Sequence, residues 1–129
     1  MSEQQSPNYE DLFYQSEDGL TLYARDYPAP SPDAQCVLLM HGLSRNSRDF
    51  EVLADHLSTR YRVLVAEQRG RGKSEWDTDP TRYAIPHYVR DMFALLQAAN
   101  VSRVATVGTS MGGLMAMVMN SAMPGVFSH

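Results

Sequence analysis

The sequence predicts an α/β protein: a mostly parallel sheet with an antiparallel hairpin at its N-terminal side and helices on both faces. Three observations carry this expectation. The continuous apolar run at residues 36–40 reads as a strand buried on both faces, which is the pattern of parallel pairing, and residues 61–66 and 104–107 read as further strands. The stretches that follow them place apolar residues at helical spacing. Ahead of them, Asp18–Gly19 lies between two strand-like segments and marks a hairpin turn.

Taken in order, residues 1–8 are polar and read as a frayed tail, with a single domain over residues 9–129. Strands are expected at residues 12–15 and 20–25, joined by Ser16–Glu17–Asp18–Gly19. In the second, Leu20, Leu22 and Ala24 alternate with polar or amphipathic neighbours. Pro28, Pro30 and Pro32 end the pairing and form a stiff connector. The run at 36–40 is the first parallel strand and stops at His41–Gly42. A helix is expected from about residue 48 to 58, with Ser47 as N-cap and Phe50, Leu53, Ala54 and Leu57 on one stripe.

Residues 61–66 form the next strand, followed by a glycine-rich turn through Ser74 and a polar loop to about Ile85. A second helix spans 86–99, with Val89, Met92, Phe93 and Leu96 inward and Asn100 as C-cap. Strand 104–107 then leads through a tight turn into a helix over 111–123. Strands alternating with helices imply right-handed crossovers. No repeat, low-complexity tract or domain boundary interrupts this order.

At 129 residues the chain is long enough for one domain with its own core. A composition of 43% hydrophobic and 20% charged residues is that of a soluble globular protein. The net charge of −4 provides no basic footprint, which argues against nucleic acid as a partner. The apolar runs are too short to cross a bilayer, and the polar residues 1–7 do not resemble a secretory leader. Cys36 is the single cysteine, so no intrachain disulfide can form, and a reducing compartment, the cytoplasm by default, is expected.

Three stretches carry candidate chemistry. Gly108-x-Ser110-x-Gly112 fits a nucleophile elbow, in which a serine at the apex of a strand–turn–helix projects from the sheet edge. There the first amides of the following helix face the group under attack. His41–Gly42–Leu43 ends a buried strand at the edge where open α/β sheets place their sites. The Leu43 amide there could join that of Met111 as an oxyanion hole, with His41 a hydrogen-bonded structural residue. The turn Arg69–Gly70–Arg71–Gly72–Lys73–Ser74 ends in the Gly-Lys-Ser of a phosphate loop. The full motif needs a glycine five positions before Gly72, where Glu67 stands, so a structural turn anchored by Arg69, or a rim of the pocket, is the better reading.

The methionines at 111, 115, 117, 119 and 123 lie on a helix that is apolar all round, which reads as core packing and not a metal site. His56 and His87 are expected to be solvated, and Asp91 to be either a polar-face or a buried hydrogen-bonding residue and not a catalyst.

Together the His41–Gly42 turn, the Glu67–Gln68–Arg69–Gly70–Arg71–Gly72–Lys73–Ser74 turn and the Gly108–Thr109–Ser110–Met111–Gly112–Gly113 elbow resemble the α/β-hydrolase fold family. The resemblance spans residues 12–123 and is closest to small esterases, carbon–carbon-bond hydrolases and cofactor-free haloperoxidase-like members. It implies a serine hydrolase acting on a small ester or related acyl compound. Ser110 would be the nucleophile, the Leu43 and Met111 amides would hold the oxyanion, and His41, Gly42, Gly108 and Gly112 would shape the site. It implies no metal and no organic cofactor. Glu67 stands where the family usually has aspartate. The elbow serine departs from epoxide hydrolases and haloalkane dehalogenases, which use aspartate there.

A larger departure follows the elbow. The family order is serine, then Asp or Glu, then His. After Ser110 this sequence has no acidic residue and one histidine, His129, where the next strand would begin. A serine hydroxyl without a base is a poor nucleophile. The chain therefore reads as the N-terminal half of a hydrolase domain, truncated after the elbow helix. Two other readings stand beside it. One is a non-catalytic subunit or remnant that pairs through the exposed edge of strand 104–107 with itself or with a C-terminal partner chain. The other is a phosphate or nucleotide binder at Gly72–Lys73–Ser74.

Overall fold

The computed structural model describes residues 8–41, 50–108 and 111–122. They form a five-stranded sheet: β1 (Glu10–Gln15), β2 (Thr21–Tyr27), β3 (Cys36–Met40), β4 (Arg62–Glu67) and β5 (Ala105–Gly108). The helices are α1 (Glu51–Leu57), α2 (Ile85–Ala98) and α3 (Met111–Ala122), with a 3-10 turn at Pro80–Arg82. The strand order across the sheet is β1-β2-β4-β3-β5. The hairpin β1–β2 is antiparallel, β2 joins β4 antiparallel, and β4, β3 and β5 run parallel.

Each strand follows from its residues. Gly19, at φ +93°, turns the hairpin, and the Ser16 hydroxyl caps it by accepting from the Leu20 amide. All five residues of β3 are buried, and β4 is buried from Val63 onward. Their alternate side chains feed two cores. Val37, Leu39, Val63 and Val65 pack with Phe50 and Ala54 on the α1 side. Leu38, Met40, Leu64 and Ala66 pack with α2 and with Met115 and Met119 of α3 on the other. Helices therefore cover both faces, as expected.

The structure corrects the sequence reading in several places. The first helix begins at Glu51, with Phe50 at its N-cap making no side-chain cap bond, and Ser47 lies outside the described residues. Leu53 is exposed, so the inward stripe is Phe50 and Ala54 with Leu57 partly buried. On α2, Phe93 is only partly buried, and Tyr88 and Leu95 join Val89, Met92 and Leu96 in the core. α3 is not enclosed all round: Met115 and Met119 are buried while Met117 and Val118 are exposed. β5 is half-exposed at the end of the sheet, in line with the open edge expected for strand 104–107.

Candidate active site

The parallel strands end together, and of the sequence-predicted site residues those that are described, His41 after β3, Gly108 at the end of β5 and Met111 and Gly112 at the start of α3, follow or close those strands. His41 follows β3 and is fully buried, and its Nε2 accepts from the backbone amide of Gln68 at 3.0 Å. An accepting Nε2 places the imidazole proton on Nδ1, a neutral ring. That bond pins the end of β3 to the end of β4, just ahead of the 42–49 segment. Gly42 and Leu43 fall in that segment, outside the described residues. Gly108 is the last residue of β5 and Met111 the first of α3. Ser110 lies between them, outside the described residues, and Gly112 sits in the first turn of α3. The helix crosses the strand closely: a methyl group built on Gly113 would touch the Gly108 carbonyl oxygen at 3.5 Å. His129 is also outside the described residues.

The glycine turn after β4 is occupied by the protein's own carboxylate. Glu67 Oε1 accepts from the Lys73 amide at 2.7 Å, and the Ser74 hydroxyl donates to the Glu67 carbonyl while accepting from the Tyr23 amide. Gly72, at φ +55°, passes so close that a Cβ there would run into that carboxylate. The space a phosphate would take is filled by Glu67, and this removes the phosphate-binding reading of Gly72–Lys73–Ser74. The residue that breaks the sequence motif is the one that fills the cradle.

Arg69 is the anchor of this turn. Its guanidinium, 1% exposed, makes a bidentate pair with Asp91 at 2.6 and 2.7 Å and further bonds to Asp77 at 2.9 Å and Asp18 at 3.0 and 3.1 Å. One side chain thus ties the β4 turn, the α2 helix and the tip of the β1–β2 hairpin. The hydrogen bonds from Arg69 hold the Asp18 carboxyl well below the usual carboxylate range. Burial raises the Asp91 carboxyl above its ordinary value, against the pull of Arg69. Asp91 is therefore the buried hydrogen-bonding residue that the sequence suggested. The roles of Asp18 and Asp77 had no local signal, because the partners lie 51 and 8 residues from Arg69.

Other candidates recede. Burial pushes the Cys36 thiol up to about 11, so it is a protonated core residue at neutral pH. His56 is exposed, as expected, whereas His87 is half-buried with Nδ1 unpartnered. Among the described residues no group of three His, Cys, Asp or Glu side chains is placed to hold a metal ion. No helix among them is long and apolar enough to cross a membrane.

Comparison with known proteins adds the following. Residues 35–123 match the alpha/beta hydrolase fold family. The chain is 48% identical over 77 residues to a 3-hydroxybutyrate-oligomer hydrolase of Cupriavidus necator, covering 60% of this chain and 26% of the relative. It is 33% identical over 88 residues to a serine hydrolase-like protein of Danio rerio, covering 68% and 27%. An alpha/beta hydrolase from Novosphingobium aromaticivorans superposes with a TM-score of 0.91 at 40% identity, over 96% of this chain and 43% of that one. The chain thus spans about a quarter of these curated relatives and less than half of the similar structure.

Proposed function

This chain belongs to the α/β-hydrolase fold family, and on that premise we propose that it carries the nucleophile of a serine hydrolase. The observation behind the proposal is the junction of β5 and α3. The strand ends at Gly108 and the helix begins at Met111, which leaves only Thr109 and Ser110 to make the turn. A two-residue strand-to-helix turn inside Gly-x-Ser-x-Gly has the form of a nucleophile elbow.

In this reading Ser110 Oγ attacks the carbonyl carbon of a small ester or related acyl compound. The tetrahedral oxyanion is held by the Leu43 and Met111 amides, and the positive end of α3 favours it further. The alcohol then leaves, and water releases the acid from acyl-Ser110. The Ser110 proton needs a base, and His41 is not it, because its Nε2 lone pair already accepts from Gln68. Beyond Ser110 the sequence has no acidic residue and one histidine, His129. In this reading base and acid are supplied by further polypeptide, in keeping with a chain that spans less than half of the similar hydrolase structure. The similarity to a hydrolase named for 3-hydroxybutyrate oligomers makes short oligoesters the first substrates to try.

The test is a chimera in which this chain replaces the matching portion of the Novosphingobium hydrolase. A fluorophosphonate probe is expected to label Ser110, read by peptide mass spectrometry, and Ser110→Ala is expected to lose both the label and hydrolysis of 3-hydroxybutyrate dimer. A folded chimera that hydrolyses the ester with Ser110 unlabelled overturns the assignment.

A further inference from the structure

The parallel strands begin together as well as end together, and a concave surface lies at their starts. It is a cleft of about 530 Å³. Residues of the 29–36 segment, which leads into β3, form one wall, and residues 100–104, which lead into β5, form the other. The five residues of β3 set it about 16 Å from the edge at which His41 stands.

Arg62, the first residue of β4, braces this cleft. Its backbone amide donates to the Gln35 carbonyl at 2.9 Å and so holds one wall. Its Nη1 donates to the Ala99 carbonyl at 2.8 Å and holds the root of the other. Nε and Nη2 grip Asp26 at 3.1 and 2.8 Å, which fixes the plane of the guanidinium. These contacts use three of its five N–H donors, and the side chain is 24% exposed in the lining. Each wall is also tied to itself, the Ala34 amide donating to the Ser31 carbonyl and the Val101 amide to the Leu96 carbonyl. The cleft is therefore preformed, and little ordering remains to be done on binding.

On this frame the lining carries polar groups with capacity to spare. Ser102 and Arg103 are exposed, and among the described residues no hydrogen bond or ion pair engages either side chain. Of the charged residues in the lining, Arg62 and Arg103 are cations and Asp33 an acid, in a chain whose net charge is −4. Asp33 accepts from the Ser31 hydroxyl at 3.0 Å, and a carboxylate has lone pairs for further donors. We propose that this cleft binds a small organic oxyanion that also carries hydroxyl groups, a sugar phosphate or a sugar acid. The oxyanion takes Arg103, the Ser102 hydroxyl and the two remaining N–H groups of Arg62, while a hydroxyl of the ligand donates to Asp33. An organic cation would meet two guanidinium groups, and an apolar guest would strip water from polar walls without replacing its hydrogen bonds. The volume is that of a small-molecule site and admits a monosaccharide.

The experiment follows the amide NMR shifts of the isotopically labelled chain during titration with glucose 6-phosphate, gluconate, glucose and inorganic phosphate. Glucose 6-phosphate, gluconate or both should give saturable shifts at residues 33–36 and 100–104. Their binding should be at least about ten-fold tighter than that of glucose, which lacks the anion, or of inorganic phosphate, which lacks the sugar hydroxyls. Whichever organic anion binds more tightly identifies the head group as phosphate or carboxylate. Arg103→Glu, and independently Ala34→Trp, which fills the cleft, should each weaken binding at least about ten-fold. Arg60→Glu, the same charge change on an exposed residue outside the lining, should leave it within about two-fold. The same amides should respond in the chimera with the Novosphingobium hydrolase, and Ser110→Ala should bind as the wild type does, so the outcome does not depend on whether Ser110 reacts. No saturable shift at these amides with either organic anion, equal affinity for glucose or inorganic phosphate, or indifference to Arg103→Glu overturns the proposal.

Discussion

Arg69 spends its donors on three carboxylates, and burial makes that arrangement demanding. Removing one partner of a buried ion pair costs about 3–5 kcal/mol, because the other charge is left without compensation. Asp18 is the partner nearest solvent, with a side chain 28% exposed. Its folded-state carboxyl sits below its unfolded value of about 3.9, so the stability it contributes is present above that pH and lost as pH falls below it. Urea unfolding followed by circular dichroism should therefore show Asp18→Asn less stable than wild type at pH 7. The gap should shrink steadily between about pH 5 and pH 2; parallel stability curves across that range would refute the pairing. The sequence pointed to Arg69 as the anchor and to Asp91 as a hydrogen-bonding residue. That Asp18 completes the cluster was illegible, since the hairpin tip reaches Arg69 only through the sheet.

Among the elements, α2 ends one residue ahead of its sequence signal: Ala99 is the C-cap and Asn100 the residue beyond it. Asn100 takes φ +60° just after the helix, its amide donating to the Gln97 carbonyl and that of Val101 to the Leu96 carbonyl. This is a Schellman ending, with Val101 partly buried against the same core as Leu96. Asparagine tolerates the left-handed region, whereas a plain β-carbon pays about 1–2 kcal/mol there. Asn100→Ala should lower the unfolding free energy by about 1 kcal/mol, and Asn100→Gly should equal or exceed wild type. A chemical denaturation series in which alanine matches glycine would contradict this. α1 shows the opposite case. Its apolar spacing put Leu53 inward, but the helix has only seven residues, and the core beneath it is met by Phe50 and Ala54. Periodicity identifies a stripe, but the breadth of the facing sheet determines how much of it is covered.

Across the molecule, protection should follow the ladder. β3 and β4 are paired on both sides and buried on both faces, while β5 pairs among the described residues with β3 alone. Native-state hydrogen exchange of the isolated chain should rank the amides of β3 and β4 slowest and those of β5 fastest among the parallel strands. Equal protection of β5 and β3 would show that the edge is already covered. The same contrast explains why β5 is half-exposed: an apolar run announces a strand that wants burial, but burial needs a neighbour.

By itself the sequence determined the succession of hairpin, strands and helices, and the glycine turn after β4. These depend on side-chain alternation, glycine and capping chemistry within a few residues of one another. Only the tertiary structure decided that β4 inserts between β2 and β3, that Glu67 fills the glycine turn, and that His41 engages Gln68. Those outcomes rest on contacts between segments tens of residues apart, whose geometry no local pattern contains.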